Sequence, residues 1–184
     1  MIQRFVQNPF FRFLIIGTLA YLAWVVLYQY YIEPETNFDE WIIHVIIQTS
    51  ELFMNSFGFD LTPYQDGVYS NHIGVLGSSG VTVGAPCNGL VLLVLFLIFI
   101  LAFPGKWLHK IWFIPLGLVL IHIVNCFRVI ALALIVVDHP EWLDFNHDYT
   151  FTVVVYSFVF FLWYIWVNKF SPLKKKNIDQ ENIS

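Results

Sequence analysis

The stretch "IWFIPLGLVLIHIVNCFRVIALALIVV", residues 111–137, carries one formal charge, Arg128, in an otherwise apolar run. At about 1.5 Å of rise per residue, a helix of that length reaches roughly 40 Å, more than the ~30 Å hydrocarbon layer of a bilayer. It therefore reads as a membrane-crossing helix that tilts or projects beyond the lipid. A guanidinium in such a helix costs about 2.5–3.5 kcal/mol even on the lenient insertion scale, so Arg128 normally faces a polar interior or a cavity.

The rest of the chain agrees. Of its 184 residues, 58% are apolar and 12% charged, about half the charged share of soluble domains. Further apolar runs stand at 13–32, 88–103 and 150–167, the second of them short for a span. The fold class expected is an all-α integral membrane bundle of about four transmembrane helices, a single domain over residues 1–184. The first run reads as a retained helix, because it is too long for a secretory signal and Tyr30–Pro34 offers no small-residue cleavage site.

Charge placement orients the bundle. Arg4 and Arg12 precede the first run, Lys106 and Lys110 lie between the second and third, and Lys169, Lys174, Lys175 and Lys176 follow the fourth. Residues 33–86 and 138–149 contain no Lys or Arg. The positive-inside rule then puts both termini in the cytoplasm and those two regions outside. Trp107 and Trp112 on the inner side, Trp142 outside, and Trp163 and Trp166 near the inner end of the fourth run fit interfacial belts. No nucleic-acid footprint is present.

Two elements are expected in the outer region. Residues 40–55 have helical periodicity, with Trp41, Ile42, Val45, Ile46, Leu52 and Phe53 on an apolar face, His44, Gln48, Glu51 and Asn55 opposite, and Asp39 as a cap. An amphipathic packing helix follows. Residues 67–84 read as a short β-hairpin turning at Gly77–Gly80. Residues 168–184 read as a cytoplasmic tail, disordered in its "KKKNIDQENIS" portion.

The hairpin delivers the chain to Pro86 and Cys87. Proline favours the first turn of a helix, so Cys87 is expected in the first turn of the second span, where free backbone N–H groups stabilise a thiolate. Asn88 and Gly89 would add a close backbone approach for substrate. The plain alternative is a small packed residue. Arg128 reaches a similar depth, within roughly 10 Å of the outer surface if the hydrocarbon begins near Trp112. Asn125 shares its helix face, whereas Cys126 points about 200° away and His122 reads as a core residue. At the outer start of the fourth span stands His147, able to take and return protons, with Asp148 or another acid to orient it. Cys87, His147 and Arg128 suffice for acyl transfer: a nucleophile, a proton carrier, and a cation for the oxyanion or the substrate. No cofactor and no metal are expected.

These pieces resemble the exosortase/archaeosortase family of membrane cysteine transpeptidases: "APCNGL" with Cys87, "NCFRVI" with Asn125 and Arg128, and "NHD" with His147, in that order over residues 85–150. The resemblance implies an enzyme of the plasma membrane with its site facing the periplasm or exterior. It implies substrates that are secreted proteins with a C-terminal motif, a transmembrane helix and a basic tail, and an amine acceptor for the acyl group. The chain departs from the family in two ways: Asn88 follows the cysteine where Ser or Ala is common, and about four spans replace around eight.

Three rival readings remain from the residues alone. A membrane thiol oxidoreductase would use Cys87 with Cys126. A metallopeptidase would draw on His72, His139, Asp144, His147 and Asp148, although no H-E-x-x-H helix exists. A non-enzymatic scaffold would need none of them.

Overall fold

The computed structural model describes residues 9–62 and 71–171. The first helix, α1 (Pro9–Leu27), continues through a wide π turn (Tyr28–Ile32) into Glu33–Glu35, and none of its residues is fully buried. After it come α2 (Phe38–Ser56), the hairpin strands β1 (His72–Ile73) and β2 (Val81–Thr82), α3 (Leu90–Ala102) and α4 (Trp107–Asp138). The last helix, α5 (Phe151–Ile165), is flanked by π turns at Asn146–Thr150 and Trp166–Phe170. The helical stretches Pro9–Glu35, Trp107–Asp138 and Pro140–Phe170 are long and apolar enough to cross a membrane. With 13 residues, α3 is shorter, about 20 Å. An all-α membrane bundle is therefore what the chain forms, with three helices of spanning length beside one short apolar one among the described residues.

Two clusters hold the bundle together. In the first, Ile43, Ile46 and Met54 of α2 pack with Ile73, Val81 and Val83 of the hairpin against Val129, Leu132 and Ala133 of α4. In the second, Phe96 and Ile100 of α3 meet Phe113 and Ile121 of α4 and Val155, Val159 and Leu162 of α5. The second depends on a missing side chain. A Cβ on Gly117 would stand 2.1 Å from Phe96 Cζ, so α4 has room for that ring only because residue 117 is glycine.

The structure departs from several expectations. The buried stripe of α2 is Ile42, Ile43, Ile46, Ile47, Ser50 and Met54, which leaves Trp41 and Leu52 exposed. Contact with α4 selects a face rotated from the one the hydrophobicity pattern favoured. Trp166 is no belt residue: it is fully buried, its ring 5.1 Å from Phe113 and against Gly105, where a Cβ would stand 2.6 Å away. Lys110 lies inside the first turns of α4 rather than in a loop. It is 5% exposed, and its ammonium donates to Leu101 O at 2.8 Å and Phe103 O at 3.0 Å. A cation satisfying the last carbonyls of α3 opposes that helix's negative end.

The hairpin pairs His72 with Thr82 and Ile73 with Val81, and residues 67–70 of the expected hairpin lie outside the described residues. A third extended piece joins its edge: Leu61 bridges Val75, and Leu76 N donates to Asp60 O at 2.8 Å. The helical chain runs to Phe170, so residues 168–170 of the expected tail are ordered helix. The "KKKNIDQENIS" stretch lies outside the described residues.

Gly117→Leu should force Phe96 out of its place. Overpacking of this kind costs about 1–3 kcal/mol, and the expected outcome is a lowered thermal-aggregation midpoint in detergent, whereas Gly17→Leu, where a Cβ meets nothing within 4 Å, should leave it unchanged.

Candidate active site

Cys87 does not sit in the first turn of α3. It closes a separate 3-10 turn (Ala85–Cys87), with its N–H donating to Gly84 O at 2.9 Å. Gly89, at φ 71°, then reverses the chain before α3 begins at Leu90. That left-handed conformation suits glycine, because a side chain there crowds the backbone. It also brings the turn close to α4: a Cβ on Gly89 would stand 3.1 Å from Asn125 Nδ2.

Side chains pin this turn on both sides. Asn125, 2% exposed, donates from Nδ2 to Cys87 O at 3.0 Å. Asn88, 4% exposed, accepts from Leu90 N at 2.9 Å, capping α3, and donates from Nδ2 to Asp39 Oδ1. The other oxygen of Asp39 accepts from Tyr28 Oη at 2.6 Å. Asp39 was expected to cap α2. It lies instead within that helix's first turn, Asn37 holds the cap position, and its carboxylate joins α1 to the residue after the cysteine.

Opposite the thiol stands His147. Its Nε2 is 2.7 Å from Cys87 Sγ, and its Nδ1 is 2.8 Å from Asp148 Oδ1. Such a pairing of Nδ1 with a carboxylate leaves Nε2 to accept the thiol proton. The π turn Asn146–Thr150 contains the histidine; these one-residue expansions widen a helix and recur at functional sites. Thr152 Oγ1 donates to the His147 carbonyl at 3.2 Å.

Arg128, 8% exposed, completes the group from α4. Its Nη2 is 3.8 Å from Cys87 Sγ and 3.5 Å from His147 O, and its buried Nε has no partner. A guanidinium offers five donors, and among the described residues only Nη2 is engaged, through long contacts. The remaining capacity is open to an anion.

The structure thus brings Cys87, Arg128, His147, Asp148, Asn88 and Asn125 into one neighbourhood. The other candidates lie elsewhere. Cys126 is fully buried, its Sγ 3.5 Å from His122 Nε2 and turned toward Ile46 O, while Cys87 is half-buried; both thiols are free. His72 lies near Thr82 in the hairpin, and His139 pairs with Glu141 at 3.2 Å. Among the described residues, no three His, Cys, Asp or Glu side chains come together in a manner that could hold a metal ion. Asp39, Tyr28 and Thr152 also border this neighbourhood, and the sequence pattern does not mark them as site residues. Asp39 stood out only as a helix cap, and nothing local marks the other two.

A thiol, an imidazole with its carboxylate, and a guanidinium that no carboxylate among the described residues approaches thus meet at one end of a membrane bundle. The model of the transmembrane exosortase family matches residues 6–169. The chain belongs to that family of transmembrane sorting enzymes. No curated protein and no solved structure matches it.

A small polar maleimide should label Cys87 and spare Cys126 in the folded protein, read as one adduct by intact-mass spectrometry and none in Cys87→Ala. His147→Ala should slow labelling at least about tenfold, because the thiolate is the reacting form. Equal rates in wild type and His147→Ala would show that the imidazole does not activate the thiol.

Proposed function

We propose that the chain is a membrane cysteine peptidase or transpeptidase that cleaves secreted proteins near their C-terminus and passes the acyl group to water or an amine. The observation that carries this reading is the 2.7 Å Cys87–His147 contact beside Arg128, which no carboxylate among the described residues pairs with. Family membership supports it independently.

The chemistry runs in two halves. Cys87 transfers its proton to His147 Nε2, and the sulfur attacks the substrate's carbonyl carbon, forming an S–C bond and pushing the carbonyl pair onto oxygen. Arg128 stabilises that oxyanion from a water-poor setting, where one donor contributes about 3–4 kcal/mol. As the oxyanion collapses, the C–N bond breaks and the leaving amine takes the proton from Nε2. An incoming amine or water then gives its proton to Nε2 and attacks the thioester, and the thiolate departs and is reprotonated. Asp148 keeps the imidazole in the tautomer that accepts at Nε2. Asn125 and Asn88 touch no reacting atom; they are positioning residues that hold the cysteine's turn.

The same reading sets the surroundings. The site faces the periplasm or exterior and both termini the cytoplasm of a plasma-membrane protein. Support comes from charge: Arg12, Lys106, Lys110 and Lys169 lie at the bundle end opposite the site, while Asp39, Asp138, Glu141, Asp144 and Asp148 lie at the site end. Substrates would carry a C-terminal motif, a transmembrane helix and a basic tail.

Processing of a co-expressed substrate of this type, followed by immunoblot, tests the reading. Cys87→Ala should lose at least about 10³-fold in rate, Arg128→Ala about 10²–10³-fold, and His147→Ala about 10²–10⁴-fold. Normal processing by Cys87→Ala would refute it.

A further inference from the structure

Next to the cysteine's turn, a cavity of 310 Å³ lies between α3 and the start of α5. Its polar end is formed by Arg128 and Thr152, the two side chains whose N–H and O–H groups approach His147 O. Its floor is Leu92 and Val155, 5% and 1% exposed. The remaining wall carries Val91 and Tyr156, 48% and 42% exposed on the outer sides of α3 and α5. In a bilayer, exposed side chains on two apolar helices face lipid. The cavity therefore connects the neighbours of the thiol with the hydrocarbon phase.

Depth points the same way. Arg128 stands about 24 Å along α4 from Trp112, which leaves roughly 6 Å of a 30 Å hydrocarbon layer above it. The short α3 covers only about 20 Å, so its first residue, three positions after Cys87, also starts below the boundary. A peptide confined to water would have to descend to the thiol. One already fixed in the membrane would meet it sideways.

We propose that the gap between α3 and α5 is the substrate's portal: a peptide segment still attached to a membrane-embedded helix slides in past Val91 and Tyr156 and lies over Leu92 and Val155, with its scissile carbonyl at Cys87 and Arg128. The proposal rests on the cysteine-peptidase reading and adds the direction and depth of approach. The cavity is too small for a helix, which with side chains is about 10 Å across. The segment inside it is consequently extended, and the substrate's helix has to end next to the cleaved bond. Tyr156, at the mouth, presents a hydroxyl able to pair with a backbone group that such unwinding leaves free.

The test uses full-length protein in membranes and a membrane-tethered substrate cut by the wild type. Val91→Trp should narrow the mouth and reduce processing at least about tenfold, since displacements near 1 Å cost about 10²-fold at a reacting centre. Val119→Trp, on an exposed face of α4 away from the cavity, should process normally. Labelling of Cys87 by a small water-soluble maleimide should be unchanged in both, which separates a closed portal from a damaged site. A second arm leaves the enzyme untouched: inserting a flexible linker of about six residues, worth roughly 20 Å when extended, between the cleaved bond and the substrate's helix should reduce processing at least about tenfold. Wild-type processing by Val91→Trp, or indifference to the linker, would overturn the portal while leaving the cysteine mechanism intact. Normal processing by Cys87→Ala would instead remove the mechanism itself.

Discussion

One charge in an apolar helix constrains the rest of this structure. Arg128 cannot face lipid without a cost of about 2.5–3.5 kcal/mol or more, and α4 turns it toward the cysteine's turn and the start of α5. No carboxylate approaches it within salt-bridge distance among the described residues, and only one nitrogen has contacts. A buried cation left in this condition is a standing cost, of the kind that persists where its field acts on something bound. Asn125 one turn below, the separate turn at Ala85–Cys87 and the π expansion at His147 all serve to bring groups to that cation.

The parts of the fold legible in sequence were those set by the bilayer. Long apolar runs and a lone arginine within one of them are consequences of solvent chemistry, and they survive without any knowledge of neighbours. What sequence could not supply was phase and contact. Residues Ile43, Ile47 and Met54 entered the core of α2 in place of Trp41 and Leu52 because α4 chose the face. Trp166 resembled an interfacial tryptophan by position, yet the glycine that makes room for it, Gly105, is distant in sequence.

The site divides similarly. Cys87, Arg128 and His147 stand out in sequence because each is a residue that a membrane helix or its margin does not hold casually, and the structure brings them together. Asp39 was visible only as a cap, since its partners Tyr28 and Asn88 lie on different elements, and no spacing links them. The expected helix-dipole activation of Cys87 fails for a local reason: Gly89 adopts φ 71° and separates the cysteine from α3. The group that meets the thiol is instead His147, 60 residues later in the chain.

Both ends of α3 are tied by side chains from within the protein, Asn88 at its start and Lys110 from α4 at its finish. A short helix fixed at both ends behaves as a strut of set length. Its length, rather than the thickness of the surrounding lipid, determines how far the cysteine stands from the lysine-bearing end. A thicker or thinner bilayer then has to be absorbed by bending of the membrane around the protein or by tilt of α1 and α5, while Cys87, Arg128 and His147 keep their spacing.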